Sequence, residues 1–168
     1  MRPELVLGGV IPANLLPFDS SLEIDEKNYR RHLRYLVDTR GVTGVTTNAH
    51  ASEVAALTTE EQRRSLNITL DEVDSKVPVV CGVYEDGTKK AAALARMAEE
   101  EGADCLLVFP SAVYDFGHSL RPEMARGHVA GVAEATSLPI IVFVYPATSG
   151  LHIDTDNLVG ICSDWRKY

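Results

Sequence analysis

Residues 77–110 read VPVVCGVYEDGTKKAAALARMAEEEGADCLLVFP. An apolar run behind a proline, VPVVCGV, leads into an amphipathic segment over 87–101, and a second apolar run, CLLVFP, follows Gly102. Runs this short and this apolar are strands, and the longer periodic segment between them is a helix. Strands with apolar residues on both faces, joined by helices, describe a parallel sheet covered on both sides.

The same alternation extends in both directions. LGGVIPANLL, GVTTN and PIIVFVY are further strand-like runs, and helical segments fall near 25–40, 59–75 and 121–136, with a fifth starting near Asp154. That makes five strand–helix units. Thr58 and Glu61 have capping-box spacing, Asp154 is a good N-cap, and Gly41 and Gly102 stand where a left-handed residue ends a helix. On the first helix Tyr29, Leu33, Leu36 and Val37 share a face opposite Arg30, Arg31 and Arg34.

The junctions also repeat. Gly41 recurs as Gly102, and Pro78 as Pro139, each 61 residues later. A two-unit module of this kind favours a symmetrical barrel. Length argues the other way, because an eight-unit barrel takes ~250 residues and this chain of 168 suits an open five-stranded doubly wound sheet.

Composition narrows the function classes. With 45% apolar and 24% charged residues the chain is an ordinary single globular domain, spanning 1–168, and a net charge of −8 offers no basic stripe for nucleic acid or an anionic membrane. Cys81, Cys105 and Cys162 are an odd set, two of them inside strand-like runs, and read as reduced thiols in a cytoplasmic protein. MRPELVLGGVIPANLLPF resembles a short signal peptide only superficially: Pro12, Pro17 and Asn14 make a first strand the better reading. No run approaches the ~18 apolar residues of a membrane span.

In either architecture the ligand lies beyond the C-terminal ends of the strands, at 14–18, 48–53, 84–86, 110–114 and 145–150. The chain has neither G-x-G-x-x-G nor a phosphate loop, no G-x-S-x-G elbow, and no histidine pair with zinc spacing, so no cofactor and no metal is expected. What remains is NAHASE, residues 48–53, where Asn48, His50 and Ser52 offer donors while Ala49 and Ala51 let the backbone approach a carboxylate. A polar loop whose Glu53 pairs with a neighbouring helix is the plainer alternative. On the fifth strand Phe143 and Tyr145 alternate onto one face, the inner one in a barrel, with Tyr145 at the exit. A phenol there either relays a proton or anchors a loop.

Four blocks in order, GVIPANLLPF, VTGVTTNAHASEVAALTTEEQRR, the stretch at 77–110 and LPIIVFVYPATSG, resemble the dihydrodipicolinate synthase / N-acetylneuraminate lyase family of Schiff-base aldolases and lyases. The resemblance covers essentially the whole chain. It implies an eight-unit barrel, of which these residues would be the first five units, incomplete, with units six to eight absent. It also implies a lysine on the sixth strand that condenses with pyruvate or another 2-oxo acid, a proton-shuttling tyrosine on the fifth, and a carboxylate-binding turn after the second, usually G-T-T-G-E. The turn falls on Ala49, His50, Ala51, Ser52 and Glu53, and the tyrosine on Phe143, with Tyr145 two positions on. Thr148 stands where the synthases carry an arginine for a second carboxylate, so a sugar-acid or hydroxy-oxo-acid aldolase or dehydratase is the better expectation. On this reading the substrate-binding set is His50, Ala51, Ser52 and Thr148, and Tyr145 is the candidate proton relay.

The final segment, LVGICSDWRKY, reads as a fifth helix with Leu158, Ile161, Cys162 and Trp165 on its buried face. Lys27, Lys76, Lys89, Lys90 and Lys167 are the chain's only lysines, and none follows a strand. Two expectations result. One is an inactive portion of a Schiff-base lyase whose complete form acts on a small 2-oxo acid as a homo-oligomer; the other is a noncatalytic βα module that serves in binding or assembly.

Overall fold

The computed structural model describes residue 5 and residues 7–115 and 121–164. Within them the order is α1 (Glu26–Asp38), β1 (Val45–Thr47), α2 (Thr59–Val73), β2 (Val79–Val83), α3 (Thr88–Glu101), β3 (Cys105–Val108), α4 (Pro122–Ala133), β4 (Ile140–Val142) and α5 (Thr155–Asp164). The four strands are parallel and lie in the order β1-β2-β3-β4. Val45 stands opposite Val79, Val80 opposite Cys105, and Leu106 opposite Ile140.

Consecutive order decides the architecture. Parallel crossovers are right-handed, so a sheet that adds every strand on the same side carries every crossover helix on one face. Each helix accordingly packs on the next, α1 on α2 through to α4 on α5. Val79, Cys81 and Val83 of β2, with Leu106 and Val108 of β3, share one core with Leu66 of α2, Leu94 and Met97 of α3, and Val129 and Val132 of α4. Full burial of a Leu or Val of this kind stabilises by about 1.5–3 kcal/mol. The opposite face carries Leu107 and Ile141, both partly exposed. Val80 and Cys105 on that face are nonetheless fully buried; the helices take one face, the winding is that of a barrel, and the doubly wound alternative does not hold. The sheet itself is open.

The first expected strand is also reduced. Residues 10–13 pair only through two isolated bridges, Val10–Val42 ahead of β1 and Ala13–Thr46 within it. Gly9 is left-handed (φ +83°) and Pro12 has no N–H, so a continuous ladder cannot form there. The 61-residue repeat, in contrast, is structural. Val45 N–H donates to the Pro78 carbonyl at 3.0 Å, and Leu106 N–H, 61 residues on, donates to the Pro139 carbonyl at 2.9 Å.

Helix ends follow local chemistry. Thr58 and Glu61 form a reciprocal capping box on α2, and Asp154 accepts from Asn157 N–H at the start of α5. Gly102 closes α3 in the left-handed region at φ +109°. Gly41 is left-handed too, but α1 ends earlier, with Thr39 as its cap, so Gly41 shapes the turn into β1 instead. Trp165 and Lys167 lie outside the described residues, as does His118. No described helix is long and apolar enough to cross a membrane. Cys81 and Cys105 are buried free thiols, which burial pushes up to about 12 and about 11, and such thiols are unreactive.

Tyr29 belongs to the apolar face of α1, yet its hydroxyl is the hub of a buried polar cluster. Asn14 Nδ2 donates to it, and Thr69, Thr47 and Ser65 lie at 2.7, 3.2 and 3.3 Å. All five side chains are fully buried, so each depends on the others for its hydrogen bonds. The cluster ties the first segment, β1, α1 and α2 together. Tyr29→Phe should therefore cost about 1–3 kcal/mol in urea denaturation, whereas a loss below about 0.5 kcal/mol would show that the cluster contributes little.

Candidate active site

The C-terminal ends of the strands converge on His50. After β1, Asn48 takes a left-handed conformation (φ +53°), one that Asn tolerates better than most residues. The chain then makes two short 3-10 turns, His50–Ser52 and Val54–Ala56, separated by a left-handed Glu53 (φ +56°). Asn48 Nδ2 donates to the Gln62 carbonyl of α2 at 2.9 Å. Its own carbonyl lies against Gly82 of β2, where any Cβ would overlap it. The turn can sit over β2 only because residue 82 has no side chain.

Ser52 is buried and committed to this turn. Its hydroxyl accepts from Ala49 N–H at 3.2 Å and donates to Asn14 Oδ1 at 3.4 Å, which joins the turn to the Tyr29 cluster. Ala51 and Glu53 are exposed on the turn's outer side. Thr148 is exposed in a further 3-10 turn, Ala147–Ser149. Of the residues expected from sequence, the structure brings His50, Phe143 and Tyr145 into contact.

His50 Nε2 lies 2.6 Å from the Tyr145 hydroxyl. Around the imidazole stand Phe109 at 4.6 Å, Tyr84 at 5.3 Å and Phe143 at 5.7 Å between ring centroids. Phe143 in turn packs on Phe109 at 4.7 Å and meets Tyr145 edge-on at 4.8 Å. Each strand therefore contributes to one aromatic cup: β1 through His50, β2 through Tyr84, β3 through Phe109, and β4 through Phe143 and Tyr145. Edge-to-face pairs such as these are worth about 0.5–1.5 kcal/mol each beyond their buried area.

Burial sets the protonation of the pair. It lowers the His50 imidazole below its ordinary value and pushes the Tyr145 phenol up to about 12, with the nearby Tyr84 adding a smaller like-charge effect. At neutral pH the resting pair is a neutral imidazole beside a neutral phenol. Such a pair can pass a proton or hydrogen-bond a carbonyl oxygen. Among the described residues no group of three His, Cys, Asp or Glu side chains converges as metal ligands would. Lys27, Lys76, Lys89 and Lys90 are all exposed, in the first turn of α1, after α2 and in the first turn of α3, and none stands at the end of a strand.

Sequence reasoning did not single out Tyr84 or Phe109. Each is the first aromatic after an apolar run, which is the available signal, but only the strand register shows that both rings reach His50. Tyr84 also lines a cavity of about 150 Å³ with Val54, Leu57, Gln62, Glu85 and Asp86. Asp86 is used structurally, accepting from Ala112 N–H at 2.8 Å and Ser111 Oγ at 3.2 Å.

The approach of Asn48 to Gly82 gives a direct test. Gly82→Ala should cost about 1–3 kcal/mol and release the His50 ring contacts, read by urea denaturation and by side-chain NMR. Gly127→Ala, in the open middle of α4, should instead stabilise by up to about 1 kcal/mol. Equal effects of the two substitutions would contradict the overlap at residue 82.

Comparison with known proteins agrees with this geometry. Residues 6–161 match the dihydrodipicolinate synthetase family. The 4-hydroxy-tetrahydrodipicolinate synthase of Bartonella henselae is 32% identical over 165 residues, covering 96% of this chain and 53% of that protein. The synthase of Methanothermobacter thermautotrophicus is 31% identical over 150 residues, covering 89% and 51%. The chain thus spans about half the length of the curated relatives it matches. Among solved structures, the 4-hydroxy-tetrahydrodipicolinate synthase of Methylacidiphilum fumariolicum SolV is 25% identical with a TM-score of 0.84, covering 94% of this chain and 51% of that one. Dihydrodipicolinate synthase from Aquifex aeolicus has the same fold at 24% identity, with a TM-score of 0.83 over 94% of this chain and 52% of that one. With this match over residues 6–161 and its singly wound parallel sheet, the chain belongs to the dihydrodipicolinate synthetase family.

Proposed function

We propose that these residues form the substrate-binding and proton-relay side of a class I lyase site acting on pyruvate-type 2-oxo acids. One observation carries the reading: the turn after β1 and the exit of β4, 95 residues apart, meet in the 2.6 Å contact of His50 with Tyr145. In this scheme the 49–53 turn receives the substrate carboxylate through His50 and the backbone beside Ala51. Ser52 supports the turn from behind, Thr148 borders the opening in place of a second cationic anchor, and Tyr145 handles protons where Phe143 cannot. The condensing lysine that the family resemblance implies is not among the lysines described above, so the scheme takes it from outside the described residues.

A second reading, a noncatalytic βα module for binding or assembly, is favoured by the sheet face at Leu107 and Ile141, which the described helices leave partly exposed. The readings separate on one sample. Under the lyase reading, pyruvate shifts the NMR resonances of His50 and Tyr145 with a Kd on the order of 1 mM, about −4 kcal/mol, and borohydride leaves the intact mass unchanged. Pyruvate that leaves both residues unmoved, in a protein with a sharp unfolding transition and one defined oligomer, would favour the module. A reduced pyruvate adduct on the chain would show that the nucleophile has been misplaced.

A further inference from the structure

Tyr145 is held at both ends by a histidine. Its hydroxyl faces His50 Nε2 at 2.6 Å. Its main-chain carbonyl, which can only accept, lies 3.1 Å from His152 Nδ1, so Nδ1 of His152 carries the proton. His152 comes from the segment beyond the Ala147–Ser149 turn, and this contact fixes the backbone from which the phenol projects.

The surroundings of His50 suit proton transfer, because its Nε2 faces a phenol. The rings that meet it are Tyr84 from the end of β2, Phe109 from β3, and Phe143 and Tyr145 from β4. The titratable groups among these rings are the two phenols. A neutral imidazole has one N–H, and a ring whose Nε2 accepts from a phenol carries that N–H on Nδ1.

We propose that His50 is the terminal base of a two-residue relay in which Tyr145 is the proton bridge, and that His152 is a positioning residue for Tyr145. The proposal rests on the lyase reading above and adds proton transfer at Nε2 to the place of His50 in the carboxylate turn. A substrate hydroxyl or activated C–H facing the phenol gives its proton to Tyr145 Oη. As that O–H bond forms, the phenol's original O–H bond breaks and an N–H bond forms at His50 Nε2. The substrate keeps the electron pair, the phenol stays neutral, the imidazole becomes imidazolium, and nothing is oxidised or reduced. Reversal returns the proton to the product. A bridge is the form that fits a phenol pushed up to about 12, because phenolate would be a poor resting state, while the neutral imidazole keeps its Nε2 lone pair available.

The test is 15N NMR of the full 168-residue chain without substrate. The relay predicts that His50 is the Nδ1–H tautomer at neutral pH. The phenol's donation holds the ring neutral, so Tyr145→Phe should raise the His50 pKa by about 0.5–1 unit, the worth of one hydrogen bond. His152→Ala should bring His50 most of the way to the Tyr145→Phe value. His152→Asn, which offers a donor to the same carbonyl, should restore it, whereas a residue that merely filled space would be rescued by size alone. A His50 Nε2–H tautomer, or a pKa unmoved by Tyr145→Phe, would overturn the relay. Failure of the lyase reading is a separate result, because it appears only when pyruvate is added.

Discussion

The closest constraint in the molecule is the approach of the Asn48 carbonyl to Gly82. A parallel sheet leaves little room between one strand's exit loop and the next strand, and here that room exists because β2 presents no side chain at residue 82. Asn48 then turns left-handed, and His50 swings over the ends of β2, β3 and β4. With a side chain at 82 the turn would have to rise off the sheet, and the imidazole would lose the three strands whose rings surround it. The placement of the candidate site is thus a consequence of backbone packing.

What stiffens that turn lies behind it. Ser52 holds the Ala49 amide and reaches Asn14, and Asn14 reaches the Tyr29 hydroxyl, around which Thr47, Ser65 and Thr69 gather. Hydroxyls buried in this way are stable only as a satisfied set, so the set enforces one relative placement of α1, α2, β1 and the turn. In front, the His50 ring meets an aromatic cup whose partial burial lowers the imidazole and raises the Tyr145 phenol, so both are neutral at neutral pH. A rigid polar backing with a partly buried aromatic front is a suitable setting for moving a proton over a short distance.

The helices, strands β1 to β4 and the junction repeat were legible in the sequence because they rest on periodicity and end chemistry. Thr58 with Glu61, Asp154 and Gly102 behave as their local patterns indicate. The first strand is less regular than its apolar character suggests, since Gly9 and Pro12 interrupt its ladder, and a doubly apolar strand does not say which layer lies on its second face. Among site residues, Tyr145 and His50 stood out by type and position. The inward hydrogen bonds of Ser52 and the polar hub at the Tyr29 hydroxyl were not legible, because side-chain alternation gives a face but not a hydrogen-bond partner. Contacts between residues as far apart as His50 and Tyr145 depend on strand register, which no local pattern encodes.

The account stands on the meeting of two loops, so the most direct measurement is a side-chain NOE experiment on the full chain. It predicts strong cross-peaks from the His50 ring protons to the rings of Tyr145 and Phe109, and a weaker one to Tyr84. A His50 ring with cross-peaks only to its own turn, and none to Phe109 or Tyr145, would contradict the site as described.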